Sequence, residues 1–496
     1  MCGLAALWGQ SDPGLTRAMI ARQQHRGPDD SGMLELAGGA GTLGHCRLAV
    51  IDPACGQQPM VDPETGAALV ANGMIYNDRA LRERSPEARF RTASDSESIL
   101  HSVGTRGGEA VQELDGMFAF VLARGDHLIA ARDPVGIKPL YMARTGDGLV
   151  FASEAKAFAG LAADVAAFPP GHRYDSRTGF TRYYAIPDAP PADWDLDSAL
   201  TAVRRTLEAA VVKRLRSDVP FGALLSGGLD SSIIAAIAAR HVPDLKTFAV
   251  GLEGSADLAA ARRVAAYLGT DHRERIVTPA EVSAALPRVL YHLESYDRDL
   301  VRSALPCWFV AEFAAREVTV VLTGEGADEL FAGYGYYRDI ADHAALHAEL
   351  RRSIGTMHDI NLQRVDRMTM AHGLEARVPF LDTAMIALGL SLPTGWKLMP
   401  GSGRRIEKWI LRKAFADMLP DDIVWRDKLQ FDQGSGFADL LADAAADAPP
   451  AHAAGRCAEE ARYAALLAAE YADPGPIMAL VSHWDTRPAA PQPAAE

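Results

Sequence analysis

A chain of 496 residues with 48% hydrophobic side chains can form two or three domains with substantial cores, and two is the working expectation. Its 50 basic and 64 acidic residues leave a formal net charge of −14, which disfavours a general nucleic-acid or acidic-membrane binder and favours small-molecule partners. No apolar run approaches the roughly 20 residues that span a bilayer, and no leader-like segment opens the chain, so a cytoplasmic protein is expected.

Residues 1–185 carry short apolar runs broken by Gly, Pro, Asn and Asp, such as Leu43–Ile51, Ala68–Ala71, Met117–Leu122 and Leu128–Ala131. These read as strands of an α+β domain. The proline-bearing stretch YAIPDAPPADWDL at 184–196 lacks an apolar period, which places a connector at 186–198. Helical spacing over Leu200–Leu215 is followed by the apolar run Val219–Leu225, the turn SGGLD and the helix-like SSIIAAIAAR. Strand, glycine turn and helix form the βα unit of a nucleotide-binding α/β domain. Lys246–Gly251 and Val318–Leu322 read as further buried strands, and most of the rest of 199–487 as helix. The tail PAAPQPAAE at 488–496 is expected to be disordered.

Five cysteines (Cys2, Cys46, Cys55, Cys307, Cys457) are odd in number and widely spread without a CxxC pair. That spacing argues against a zinc or dithiol centre. Four read as ordinary thiols. Cys2 differs by position: removal of Met1 would leave nucleophile and amine on one residue, and an α-amine with a pKa near 8, roughly, can serve as base for its own thiol. A cysteine at position two carries little signal by itself; its surroundings supply the rest. They are MCGLAALWG, HRGPDDSG at 25–32, GHCRLAVID at 44–52, NGMIYN at 72–77, SDSE at 94–97, LDGMFAFVL at 114–122, RDPVGIKPLY at 132–141 and FASEAKA at 151–157.

In the second half, SGGLDSS at 226–232 follows a strand and opens a helix, so its N–H groups and hydroxyls can surround a phosphate. It is not GxxxxGK[ST], so a Walker-type site is not supported. GEGADE at 324–329, RVDRMTMAHGLEARVPFLD at 364–382 and RDKLQFDQGSG at 426–436 follow in order.

Over about 1–440 these ordered motifs resemble the glutamine-hydrolysing asparagine synthetases of bacterial type: a class II glutamine amidotransferase joined to a PP-loop ATP pyrophosphatase. The resemblance implies an N-terminal-nucleophile hydrolase sandwich (αββα) over 1–185, followed by an α/β PP-loop domain with many helices. It implies that Cys2 attacks the glutamine amide while the Asn72 side chain and Gly73 N–H stabilise the oxyanion. Glutamine binding falls to Arg47 with Leu48, Ala49, Val50 and Ile51, to Asn72, Gly73 and Met74, and to Asp95, which receives the ammonium group. ATP binding falls to Leu225, Ser226, Gly227, Gly228, Asp230, Ser231, Ser232, Val250, Thr323 and Gly324. Asp230 and Asp328 match positions that hold Mg²⁺, Glu325 a residue tied to the acyl-adenylate, and Lys428 one that meets the phosphates. The implied reaction consumes glutamine, aspartate and ATP. An internal tunnel for ammonia and a homodimer, as in many relatives, are also implied.

Two departures stand out. Related enzymes read Asn-Gly-Glu where this chain reads Asn72-Gly73-Met74. Met cannot bind an ammonium electrostatically, although its backbone carbonyl can. Bacterial relatives commonly carry Thr-Thr-Ile-Arg shortly after a Tyr-Asp pair, where this chain has Asp299-Leu300-Val301-Arg302. Arg302 is retained and would bind the α-carboxylate of the acid, with Asp299 expected to pair with Arg298 or Arg302. Aspartate is the expected acid. The alternatives are the same chemistry on another acid, and a silent paralogue that only binds.

Overall fold

The computed structural model describes residues 2–441, other than 147, 162–163, 189, 402 and 439, and residues 456–484. The side chain of Cys457 and the tail at 488–496 lie outside the described residues.

The N-terminal half is built on two stacked antiparallel sheets, each of six strands among the described residues. The strand Cys2–Trp8 lies in one, between Gly41–Arg47 and Gly148–Ala152. The strand Ala68–Ile75 lies in the other, beside Gly116–Arg124. Alternation along each strand assigns its two faces. Leu4 and Ala6 share a buried cluster with Val70, Val121 and Ala130 of the facing sheet, whereas Ala5 and Leu7 share one with Met19 and Ile20 of the helix Pro13–Arg22. Leu69, Ala71 and Ile75 likewise share a cluster with Ile99, Leu100 and Val103 of the helix Glu97–Arg106. Helix, sheet, sheet and helix are thus layered, the αββα sandwich expected. Near-continuous apolar strands are the consequence, because each sheet is covered on both faces.

Residues 48–51 were expected to continue the strand from Leu43, but the strand ends at Arg47. The following segment leaves the sheet: Asp218 N donates to Val50 O at 3.2 Å and Asp52 N to Asp218 Oδ2 at 2.9 Å, tying it to the second half.

The second half contains a five-stranded parallel sheet in the order Asp271–Ile276, Lys246–Gly251, Phe221–Leu224, Val320–Leu322, Glu375–Arg377. The first and last of these strands were not anticipated; DHRERI and EAR lack the apolar run that marks a buried strand. From Phe221–Leu224 the chain builds outward in one direction and later in the other, so the order reverses between Phe221–Leu224 and Val320–Leu322. Ligands of open α/β sheets sit at the carboxyl ends of strands at such a reversal. SGGLDSS leaves the first of these two strands and GEGADE the second. Among the described residues, 186–195 form neither helix nor strand, and the helix Leu196–Lys213, N-capped by the Asp195 side chain, takes the last residues of the expected connector.

Candidate functional sites

The alternation that buries Leu4 and Ala6 between the sheets also points Cys2 inward, and the alternation through Ala68 and Val70 does the same for Asn72. The two meet at one end of the sandwich: the Cys2 backbone N–H donates to Asn72 Oδ1 at 2.9 Å. Asn72 is fully buried, and its Nδ2 has no hydrogen-bond partner among the described residues. A buried amide donor with no partner among the described residues is available to an acceptor that enters the site. Burial opposes ionisation of the Cys2 thiol, but His45 and the N-terminal charge outweigh it and bring the thiol down to about 7. Burial, with the charges of Cys2 and Glu154 adding to it, pushes the neighbouring Cys46 up to about 12. Of these two thiols only Cys2 is tuned as a nucleophile.

Arg47 pairs with Cys2 across the sheet. Its Nη1 donates to Pro53 O at 2.9 Å and its Nη2 to Asp52 O at 2.7 Å, so the guanidinium braces the loop that follows Ile51. In the expected glutamine segment, Ala49 N donates to Asp29 Oδ2 at 2.8 Å, while Leu48, Val50 and Ile51 are buried. Asp95 accepts the Ile75 N–H at 2.7 Å. Burial, with Asp78 and Glu375 nearby, raises the Asp95 carboxyl to about 6. Gly73 is held against the neighbouring strand; a Cβ there would fall 2.1 Å from Met117 O, so no other residue fits. Met74 is buried in an apolar cluster with Leu48, Val50, Ile51 and Met117. Its side chain therefore packs beside the glutamine segment and offers the substrate no charge.

In the second half a cavity of about 450 Å³ opens at the strand-order reversal. Leu225, Val250, Thr323 and Gly324 line it, as do Ser226, Gly228, Asp230 and Ser231 from the glycine turn. The turn is internally braced, with Ser226 and Ser231 hydroxyls 3.1 Å apart. Two residues of the expected ATP set do not line the cavity. Gly227 has φ 72° and backs onto Ala260; it shapes the turn. Ser232 is fully buried.

Across the cavity stand the acids expected to hold a metal. Lys408 Nζ lies 2.5 Å from Asp230 Oδ2 and 2.7 Å from Asp328 Oδ1, and Lys428 Nζ lies 2.8 Å from Asp328 Oδ2. Burial opposes ionisation of Asp328, but the two lysines outweigh it and hold the carboxyl far below its ordinary value. Asp230 Oδ1 is buried without a hydrogen bond among the described residues. Two carboxylates, one with an open oxygen, facing the glycine turn are the donor set that suits Mg²⁺. Glu325 accepts from Arg364 Nη2 at 2.6 Å.

Lys408 and Arg364 were not anticipated. Lys408 stands in the turn between the strand Arg405–Glu407 and the helix Trp409–Ala414, Arg364 in the helix Asn361–Met370, and only the tertiary fold carries them to the cavity. Arg302 lines the cavity, and Asp299 pairs with Arg298 (Nη2 to Oδ1, 2.8 Å), as expected for that departure.

One helix, Asn361–Met370, touches both sites, and all of its residues are buried. Arg364 reaches Glu325 at the cavity. Two residues on, Asp366 Oδ2 accepts from Arg26 Nη1 at 2.8 Å, and Arg26 Nε donates to the Cys2 carbonyl at 3.0 Å.

Fold and sites together define an N-terminal-nucleophile amidotransferase half joined to a PP-loop synthetase half. The profile described as Glutamine amidotransferase domain matches residues 1–174, and that of Asparagine synthase matches 202–342 and 338–486. The chain is 42% identical over 465 residues to asparagine synthetase [glutamine-hydrolyzing] 3 of Arabidopsis thaliana, covering 88% of this chain and 79% of that protein. It is also 42% identical over 468 residues to the asparagine synthetase [glutamine-hydrolyzing] of Asparagus officinalis, covering 88% and 78%. The chain belongs to the glutamine-hydrolysing asparagine synthetase family. These relatives are plant proteins, so the narrower bacterial-type resemblance is not borne out. Among solved structures, the glutamine PRPP amidotransferase from B. subtilis gives a TM-score of 0.32 at 21% identity over 50% of this chain and 65% of that one. NMN synthetase from Francisella tularensis gives 0.26 at 12% over 55% and 97%. Neither value adds to the assignment. Among the described residues no helix is long and apolar enough to cross a membrane.

Proposed function

We propose that the protein makes asparagine from aspartate, ATP and glutamine, releasing AMP, pyrophosphate and glutamate. The observation that carries this reading is the helix Asn361–Met370, which joins a tuned Cys2 at one site to Glu325 at the other within a single chain.

In the first half (1–185), the Cys2 thiolate attacks the amide carbon of glutamine. Asn72 Nδ2 and the Gly73 N–H receive the oxyanion, ammonia departs, and water releases glutamate from the thioester. With Met1 removed, the α-amine of Cys2 is the base. Arg47 and residues 48–51 hold the substrate carboxylate end; Asp95 and the Met74 carbonyl hold its ammonium group. In the second half (199–487, after the 186–198 connector), the aspartate β-carboxylate attacks the α-phosphorus of ATP and pyrophosphate leaves. Ammonia then attacks the acyl carbon and AMP departs. Leu225, Val250, Thr323 and Gly324 seat the nucleotide, and Ser226, Gly228 and Ser231 surround its phosphates. Asp230 and Asp328 would hold Mg²⁺, which neutralises phosphate charge when bound. Lys408 and Lys428 stand beside the departing pyrophosphate, Glu325 faces the acyl-adenylate, and Arg302 receives the aspartate α-carboxylate. A cytoplasmic homodimer without nucleic-acid partners completes the proposal; the net charge of −14 disfavours binding to nucleic acid.

Turnover with amide-¹⁵N glutamine tests the proposal. Label in the asparagine side-chain amide, with one AMP and one pyrophosphate per turnover, is the expected result; ADP and orthophosphate as products would overturn it. A second arm replaces aspartate by longer and amine-bearing acids. Pyrophosphate release with one of these, and none with aspartate, would move the protein to another acid within the same chemistry.

A further inference from the structure

Arg302 stands in the helix Arg298–Ala314 and lines the cavity. Its Nε donates to Glu459 Oε1 at 2.9 Å and its Nη2 to Glu459 Oε2 at 2.7 Å, a two-point fork between residues 157 positions apart. Glu459 belongs to the C-terminal helix Arg456–Ala469, is 4% exposed, and is outside the cavity lining. One turn later the buried Tyr463 donates its hydroxyl to Glu459 Oε1 at 2.7 Å. The guanidinium is thus gripped from behind by a carboxylate that is itself fixed. Nη1 has no partner among the described residues, which leaves the Nη1–Nη2 end of the fork for an incoming carboxylate.

The same C-terminal segment also holds the N-terminus of the helix that carries Arg302. Asp297 caps that helix by accepting the Leu300 N–H at 2.9 Å, and its second oxygen accepts the Trp484 N–H at 3.0 Å. Trp484 also lines the cavity, with its ring 5.0 Å from that of Tyr334.

An unbraced arginine samples many rotamers and must surrender that freedom when it binds; one held in a planar fork has already done so. We infer that Glu459 is a positioning residue of the acid-substrate subsite, acting through Arg302, and that the C-terminal helix is thereby part of that subsite. The inference rests on the proposed reading of Arg302 as the receiver of the α-carboxylate. It assigns to residues beyond the glycine-turn and GEGADE motifs a share in choosing the acid.

The test is aspartate-dependent pyrophosphate release by the full chain with ammonium chloride as nitrogen donor, with the ATP KM and glutaminase rate as internal controls. Glu459→Ala is expected to raise the aspartate KM about tenfold, the scale of one lost charge-assisted contact, with both controls unchanged. Glu459→Asp should recover part of the loss. Tyr463→Phe, which deletes a single hydroxyl and spares the fork, should raise the aspartate KM by a smaller factor and keeps the test open should Glu459→Ala fold poorly. An unchanged aspartate KM in all three variants would overturn the inference. A lowered KM in Glu459→Ala would also overturn it, showing that Glu459 competes with substrate. Arg302→Ala separates the levels: if it leaves the aspartate KM unchanged, the reading of Arg302 fails, whereas a raised KM there with none in Glu459→Ala removes only the role of Glu459.

Discussion

Lys408 Nζ bridges Asp230 and Asp328, 2.5 Å from one carboxylate and 2.7 Å from the other. It does so from a backbone with φ 55°, a left-handed conformation that costs a side-chain-bearing residue about 1–2 kcal/mol. Strain retained at a cavity wall, in a lysine that is 1% exposed, indicates a position over-determined by its surroundings. The two carboxylates would otherwise repel each other across the cavity proposed to receive the phosphates.

Replacing Lys408 by alanine should therefore lower pyrophosphate release by about a hundredfold or more, the scale of a lost phosphate-charge contact in a closed site. The loss should be equal with glutamine or ammonium as nitrogen donor, and glutamine hydrolysis should persist. Lys408→Gly should melt at a higher temperature than Lys408→Ala, because glycine carries no penalty at this φ. A near-normal adenylation rate in either variant would remove Lys408 from the machinery.

The thiol at Cys2 gives a pH signature. Since His45 and the N-terminal charge bring it down to about 7 against the cost of burial, alkylation of Cys2 by iodoacetamide should rise through a midpoint near that pH. An ordinary thiol has its midpoint nearer 8.5, roughly. Cys2→Ala should abolish glutamine-dependent turnover and spare ammonium-dependent turnover. Asn72→Ala should cost glutamine hydrolysis about a hundred- to thousandfold in kcat, because the open Nδ2 is the buried donor that an oxyanion would meet. Retention of full hydrolysis in either variant would contradict the assigned roles.

For Asp95 the direction of the shift sets both stability and binding. Its folded-state value of about 6 lies above the unfolded value, so its stabilising contribution is present at low pH and is lost as pH rises from about 4 through 6. At pH 7 the buried carboxylate costs about 3 kcal/mol by this linkage. Asp95→Asn should then raise Tm at pH 7 but not at pH 4, while weakening glutamine binding on the proposed role, in which the ionised form receives the ammonium group. In the parent protein the glutamine KM should climb below pH 6. Equal Tm changes at both pH values would show that Asp95 is not the titrating group.

The layered sandwich was legible because short apolar runs mark strands such as Ala68–Ile75, and the PP-loop half because a glycine turn follows Phe221–Leu224. Asp271–Ile276 was not legible: its charged side chains pair with Arg262, Glu312 and Glu317 at the sheet edge, so no apolar pattern marks it. The sites divide in the same way. Cys2, Asp230 and Asp328 announce themselves through local motifs. Lys408, Arg364 and Glu459 act through contacts 39–178 residues apart that no local spacing encodes.

Met74 yields the sharpest remaining prediction, since the chain departs there from the Asn-Gly-Glu of related enzymes. Its side chain is 1% exposed and shares an apolar cluster with Leu48, Val50, Ile51 and Met117, beside the segment expected to hold glutamine. Met74→Glu would place a carboxylate among these groups. Without substrate, a buried and incompletely bonded carboxyl costs about 1–3 kcal/mol, so Tm should fall by several degrees at pH 7. With glutamine bound, its ammonium group supplies the missing partner, and the glutamine KM should drop up to about tenfold. Saturating glutamine should thus restore more of the Tm in Met74→Glu than it adds to the parent. Met74→Leu, which keeps the volume and adds no charge, should change neither Tm nor KM appreciably. The ammonium-dependent rate should be untouched in both variants. Thermal shift with and without glutamine decides the matter: a fall in Tm that glutamine does not reverse, with an unchanged KM, would show that the Met74 side chain serves the apolar packing alone.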